Sequence, residues 1–513
     1  MKFSYLKKPL ISWITLSAIS LLSCQFAFSG SKFDDKTTAE CLKDNSCQEK
    51  ILNRIETRMG VLDYRAGFPT KPTVERLYNE MDYQRAVLAH QLSDNLVSFY
   101  TMHTGPKNSI KGSKMGDLVV WENFLDTKGI VLTGNDTTIY GMAYLDLAKN
   151  GPMVVEVPPS PFLGSILDLW QVPLSGIDSE GGTFIVAAED YQGDIELPKG
   201  AKLLKSRTSI AVFFARGLVI EGDMDAAVGA VTNSKIYPLS KINKPPKTKA
   251  WHATGVEMDT ISPMNPMEYW NQVAHVINYI NPDIDQDASL LISLLKPLGV
   301  EPGKIFQPDA RQRQILADAA HFGWLMAQAI SYAPRFDDIT YYPNTQWEWV
   351  LELDPSLRGS FWRDLEARTN YYFQATMAQP AMKTKAIGRG SQYVRSARDN
   401  KGDWLDGSNL YKLNVPKDAP VELFWSITLY DFETRSQVQN VTNKAALSSY
   451  DDLKYNDDGS VDLHFGPKAP KGYESNWVQT LPGRGWWVWF RFYSPKEAFF
   501  DKSWQLKDFE RVK

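Results

Sequence analysis

The residues best suited to chemistry in this chain are carboxylates and arginines set among aromatic side chains. In "SILDLWQ", Asp168 shares a strand face with Ile166 and Trp170, because successive strand side chains alternate between faces. An apolar setting disfavours the carboxylate form, raises the pKa and suits the group to general acid or base work. A face turned to solvent explains the same spacing without any chemistry. "RSARDNKGDWLDGSN" sets Arg398 beside Asp399 ahead of a turn at Asp406–Gly407, which reads equally as a turn held by an ion pair. "FWSITLYDFETRS" places Trp425 and Asp431 on one face and Phe424 and Tyr430 on the other. Sugar sites use such a mixture of aromatic planes and polar forks, and so do β-sheet cores. In "PTVERLYNEMDYQRAVLAHQL", Arg85 and Gln84 interrupt an apolar helical stripe, so Arg85 either pairs with Asp82 or a distant carboxylate or faces a ligand.

The densest aromatic stretch is "LPGRGWWVWFRFYSP". Its alternation puts Trp486, Val488, Phe490 and Phe492 on one face, best assigned to a core. The other face carries Trp487, Trp489, Arg491 and Tyr493, where the indoles stack on the guanidinium or on a ligand. No linear motif competes with these candidates. The histidines (His90, His103, His252, His275, His321 and His464) are not at metal-ligand spacing, and no HExxH, GxSxG or P-loop pattern occurs. The Gly-rich spots lead into strands and so read as turns. No metal and no cofactor is expected. A formal charge of −4 without a basic run gives no footprint for nucleic acid.

The elements that must position these residues change period along the 513-residue chain. Residues 30–104 read as helical, with Thr73 as an N-cap and Val74, Leu77, Met81, Leu88, Leu92 and Leu96 as the apolar stripe. Residues 105–245 break into short apolar runs between Gly, Pro, Asn and Asp, the pattern of a β-sandwich. A Lys- and Pro-rich crossing and a helical domain occupy 246–385, where Ile315, Ala319, Phe322, Met326 and Ile330 form one helix face. His321 lies off that face and reads as a partly exposed helix residue. Residues 386–513 return to strands. The class expected is therefore α+β and multi-domain.

Residues 1–29 read as an export signal: Lys2, Lys7 and Lys8, then the short apolar run "PLISWITLSAISLL", then small residues at Ala27 and Ser29. "LLSC" offers a competing reading, with Cys24 lipidated. Cys41 and Cys47 then remain, and in an exported chain they most simply form one disulfide, ahead of free thiols or metal ligation.

Longer stretches resemble a known bacterial family. "PTVERLYNEMDYQRAVLAHQL", "LTGNDTTIYGMAYLDL", "GPMVVEVPP" and "GSILDLWQVPLSGI" are similar to domain of unknown function 1254. "YVRSARDNKGDWLDGSNLYKLNVP", "DDGSVDLHFGPKAPKGYESNWVQTLPGRGWW" and "RFYSPKEAFFDKSWQLKDFE" are similar to its companion, domain of unknown function 1214. The resemblance implies an Ig-like or β-sandwich N-terminal domain, a helical insert and a jelly-roll-like C-terminal domain, and it implies no reaction. The positions it marks as candidates for a shared cleft, or for shared folding constraints, are Asn135, Asp136, Tyr140, Asp168, Trp170, Arg398, Asp399, Asp406, Trp425, Tyr430, Asp431, Asn476, Trp477 and Arg491.

The leading functional expectation is an exported envelope protein, periplasmic or, in the alternative, lipid-anchored to the outer membrane or secreted, that binds a carbohydrate-like or amphipathic small ligand. Its rival is a cofactor-independent hydrolase or lyase with Asp168, Asp399 or Asp431 as acid or base and Arg398 or Arg491 stabilising negative charge. An interaction or scaffold protein is the third.

Overall fold

The computed structural model describes residues 54–357 and 364–512. The export signal, Cys24, Cys41 and Cys47 lie outside the described residues. The chain divides after Met81 into two compact units.

In the first unit the helical expectation fails between residues 54 and 69. Arg54–Thr57, Gly60–Arg65 and Phe68–Pro69 form an antiparallel meander. The reason is its turns: Gly60 takes φ +96° and the Ala66–Gly67 pair takes +50° and +82°, values that stop a helix and favour hairpins. The helix Lys71–Ser109 starts ahead of Thr73, so Thr73 does not cap it. The Thr73 hydroxyl instead accepts from the Asp63 N–H and donates to the Asp63 carbonyl, both at 2.9 Å.

The second unit is mixed α+β. A six-stranded sheet runs in the order Ala250–His252, Leu118–Trp121, Ile139–Asp146, Ile210–Gly217, Phe162–Asp168, Pro173–Ile177. Its Val120, Ala143, Ile166 and Phe213 share an apolar core with Val155, Phe184 and Val186 of a four-stranded sheet. The helix Met224–Thr232 lies directly on the larger sheet, where a Cβ at Gly141 would fall 2.2 Å from Val231 Cγ1.

Towards the C-terminus a five-stranded sheet is ordered Glu348–Trp349, Ser391–Ser396, Trp486–Tyr493, Trp425–Asp431, Ala446–Ser448. Val394, Ile427, Leu429, Phe490 and Phe492 meet Leu413, Val461, Leu463 and Phe465 of a second four-stranded sheet. Trp486, Val488, Phe490 and Phe492 all enter this core, as the alternation predicts.

The remaining faces of the five- and six-stranded sheets close onto helices. Met142, Val212 and Phe214 of one and Tyr393, Trp487 and Trp489 of the other join Leu96, Phe99, Trp270, Leu291, Leu316 and Tyr372 in one apolar cluster. These come from Lys71–Ser109, Pro266–Val276, Gln286–Leu295, Ala310–Tyr332 and Leu365–Gln374. The first helix is buried on nearly all sides beyond Leu92, and its hydroxyls bond back to its own carbonyls, Ser93 to Ala89 at 2.7 Å and Thr101 to Val97 at 2.9 Å.

Ala310–Tyr332 is rotated from the face expected of it. Ile315, Leu316, Ala319, Ala320, Gly323 and Ala327 are buried, while Phe322 and Met326 are 47% and 42% exposed. Small residues set that face: a Cβ at Gly323 would lie 2.6 Å from His90, so the helices approach more closely than the larger side chains allow.

Candidate functional site

Two arginines from interior strands of the two larger sheets project into one chamber. On Ile210–Gly217 the side chains Val212, Phe214 and Arg216 share the face turned to the helices, because they stand two apart. In register, Arg216 lies opposite Tyr140 and Phe214 opposite Met142. On Trp486–Tyr493, Trp489 and Arg491 share the face away from the C-terminal core, and Arg491 lies opposite Tyr393. Each arginine is thus paired across its ladder with a tyrosine. The loop Val131–Asn135, Met102 of the long helix, and Tyr371, Thr376, Met377 and Met382 complete the walls. The chamber is a cavity of about 60 Å³. It is narrow, and among the described residues no Asp or Glu lines it.

Arg491 is 2% exposed and well supplied with acceptors. Its Nη1 donates to Thr428 Oγ1 at 2.7 Å, and its Nη2 to the Tyr430 hydroxyl at 2.5 Å and the Thr133 carbonyl at 3.2 Å. Burial works against its charge, but the phenols of Tyr430, Tyr493 and Tyr140 outweigh it and raise its pKa. Tyr430 donates in turn to the Gly134 carbonyl at 2.9 Å, and burial pushes its own pKa up to about 12 against the pull of Arg491. Asp136, beside this group, is pushed up to about 6 by burial, with Arg491 opposing, and its Oδ1 has no hydrogen-bond partner.

Arg216 is held more loosely. Its guanidinium lies 5.3 Å from the Phe214 ring and 5.8 Å from that of Tyr140. Its Nε is buried without a hydrogen-bond partner. Burial opposes its charge, and the phenols Tyr140, Tyr393 and Tyr493 favour it enough to raise its pKa. No carboxylate among the described residues forms an ion pair with it. On the opposite wall Trp489 is 5% exposed and its indole N–H likewise has no acceptor. The chamber therefore presents donors in excess.

Of the residues singled out from sequence, Arg491, Asn135 and Tyr140 line the chamber, while Tyr430 and Asp136 stand one layer behind. Asn135 donates to the Tyr493 hydroxyl at 2.6 Å and accepts from Thr137. The others lie elsewhere. The strand carrying Asp168 ends there, so Trp170 sits in the following turn and the two do not share a face with Ile166; Ile166 joins the sheet core and Trp170 the helical cluster. Asp168 is 0% exposed and receives Arg207 Nη2 at 2.7 Å, Nε at 2.9 Å and the Val172 N–H at 2.9 Å. Burial raises its pKa against the pull of Arg207. Trp170 packs 5.0 Å from the Arg368 guanidinium.

Asp431 is chelated by Arg484 at 2.6 and 2.7 Å and by the N–H groups of Glu433 and Thr434; burial would raise its pKa, and these bonds carry it below the usual range. Asp399 accepts from the N–H groups of Lys401 and Asp403 in a turn, and Asp406 does the same for Ser408. Arg398 donates to the Gly402 carbonyl at 2.7 Å beneath the Trp404 ring. Trp425 stacks on Phe490 inside the core, Trp477 donates to the Gly466 carbonyl, and Asn476 ties Lys454 to Asp462. Arg85 is half-exposed, 3.7 Å from Asp82.

Arg216, Tyr393 and the methionine walls escaped the sequence reading. The signal for Arg216 was present as a lone cation in "SIAVFFARGLV", on the same alternating face as Val212 and Phe214. Among the described residues no group of three or more His, Cys, Asp and Glu is placed to hold a metal ion, and no helix is long and apolar enough to cross a membrane.

Residues 115–238 match the family model described as protein of unknown function DUF1254, and residues 390–497 match protein of unknown function DUF1214. The chain carries both of these paired domains, and each supplies one arginine to the chamber. No protein with a curated description matches it. Among solved structures it is similar to the VPA0106 protein of Vibrio parahaemolyticus, at 17% identity and a TM-score of 0.51 over 84% of this chain and all of that one. An uncharacterized protein from Burkholderia cenocepacia is more distant, at 9% identity and a TM-score of 0.36 over 85% of this chain and 96% of that one.

Proposed function

We propose that this chain is an exported protein of the cell envelope, periplasmic or lipid-anchored, that binds a small amphipathic ligand in the chamber between its DUF1254 and DUF1214 domains. The observation that carries the reading is a chamber walled by methionines, aromatics and aliphatics, with two arginines and unmet donors and, among the described residues, no lining acid. Between the two ligand types expected from sequence, its narrow free volume favours a slender apolar chain over a sugar ring. Trp425, the aromatic plane expected for a sugar, is part of the core. The finer fold reading that accompanies this is an Ig-like sandwich for the N-terminal sheets and a jelly-roll-like one for the C-terminal sheets. Two pairs of sheets, each pair enclosing an apolar core, support it.

The hydrolase or lyase reading has less support, since Asp168, Asp399 and Asp431 are far apart in partners and none lines the chamber. Thermal unfolding with saturating medium-chain amphipaths and, separately, with oligosaccharides tests the proposal. A ligand that binds the native state raises the midpoint. Amphipaths are expected to raise it and oligosaccharides to leave it unchanged; a flat response to every amphipath removes the reading.

A further inference from the structure

A second hollow lies directly outside the chamber. It is an open groove of about 400 Å³ lined by Gly164, Ser165, Gly176, Gln379 and Ser391 among others. Phe214, Arg216, Met382 and Tyr393 belong to both, so they form the partition between groove and chamber. Of these four only Arg216 is charged, and its Nε–H has no acceptor. The groove's one acid, Asp178, is exposed and accepts from the Glu180 N–H.

Charge bookkeeping limits what satisfies this arrangement. Arg491 already spends its donors on Thr428, Tyr430 and Thr133, and it acts on the carboxyl of Asp136. Arg216 lies among the Phe214 and Tyr140 rings, shares a hydrogen bond with Tyr393, and forms no ion pair with a carboxylate among the described residues. A buried cation without a counter-charge is costly, and an anion that supplies acceptors removes the penalty. One uncompensated guanidinium calls for one negative charge, whereas a phosphate monoester brings nearly two at neutral pH.

Resting on the binding reading above, we infer that the ligand is a monoanionic amphipath, a carboxylate on an unbranched apolar chain, that enters through the groove and is held with its carboxylate at Arg216 and its chain in the chamber. Planar guanidinium and planar carboxylate match as a two-pronged pair, which lysine cannot reproduce. Met102, Met142, Met377 and Met382 offer the chain an adaptable, unbranched lining.

The test is calorimetric titration of the full chain with four probes of one chain length: decanoate, decanol, decylamine and decyl phosphate. Decanoate is expected to bind at least roughly tenfold more tightly than decanol or decylamine, as a charge-assisted hydrogen bond adds about that factor. In R216Q that advantage should fall to within about threefold while decanol binds as before, and R216K should recover only part of it. Equal affinity of wild type for decanol and decanoate overturns the inference and leaves the binding reading standing. Tighter binding of decyl phosphate than of decanoate overturns the monoanion. Full decanoate preference in R216Q overturns the role of Arg216. No heat from any probe with wild type overturns the binding reading and this inference together. The wild-type ranking decides the ligand class even if R216Q does not fold.

Discussion

Buried and half-buried arginines in this protein live in two kinds of surroundings. Arg207 meets Asp168 at 2.7 Å and stands 3.9 Å from Asp285, Arg484 grips Asp431, and Arg395 meets Glu348 at 2.8 Å. Arg216 meets only rings and phenols, and Arg491 only hydroxyls and a carbonyl. The first group are cross-links whose charge is cancelled inside the chain. The second group also holds Arg435, bonded to the Phe373 and Glu433 carbonyls, so what marks Arg216 and Arg491 is that they lack an ion-paired carboxylate and also line a chamber. The difference separates architecture from a candidate site better than residue type does, since both groups are arginine beside aromatics.

The comparison breaks most readily at its largest expected effect. R207Q leaves the carboxylate of Asp168 buried without its partner and should cost about 3–5 kcal/mol in urea unfolding. R216Q removes a cation that no carboxylate among the described residues pairs with, and should change stability by less than about 1 kcal/mol. Similar losses in the two variants would mean that Arg216 is structural after all.

A second prediction sets two carboxyls against each other. Asp136 has a folded-state pKa of about 6 against about 3.9 unfolded, so the folded state binds its proton more tightly. Its contribution is full below about pH 4 and lost as the pH rises to about 6, a change of about 3 kcal/mol. D136N should therefore gain on wild type across that window. Asp431 is held low by Arg484, so its contribution is present above about pH 4 and lost as the pH falls through its folded-state pKa. D431N should lose its deficit against wild type in acid. Unfolding midpoints of both variants from pH 3 to 7 check the opposite slopes; parallel profiles would erase the distinction.

The smallest loss expected of an anchoring residue concerns the arginine that stood out in the sequence. R491K keeps the charge but cannot span Thr428, Tyr430 and Thr133 at once, and should lose about 1–2 kcal/mol with the 131–135 loop loosened. Hydrogen exchange at the amides of Gly134 and Asn135 checks where the loss falls; unchanged protection there would mean that Arg491 does not anchor the loop.

Period-two alternation made the strand Trp486–Tyr493 legible down to which face enters the core, and punctuation by Gly and Pro made the two β regions legible. The short, polar strands of residues 54–69 lacked that alternation, and their turns were the better signal. The turn that ends the strand at Asp168 also went unread, which is why Trp170 was placed on the wrong face. The chamber itself was not legible. Periodicity says which side chains share a face, and nothing about which other face they will meet. Arg216 and Arg491 are 275 positions apart and converge only because both sheets close onto one set of helices.

The placement of these arginines has a kinetic consequence. Ile210–Gly217 and Trp486–Tyr493 are each hydrogen-bonded to neighbours on both sides, so neither can swing aside without breaking two ladders at once. Opening of that kind belongs to the slowest motions of a fold. Traffic across the partition must instead follow rotamer changes of Phe214, Met382, Tyr393 and Arg216, which are fast and local. Exchange across the partition would then require neither unfolding nor a parting of the sheets.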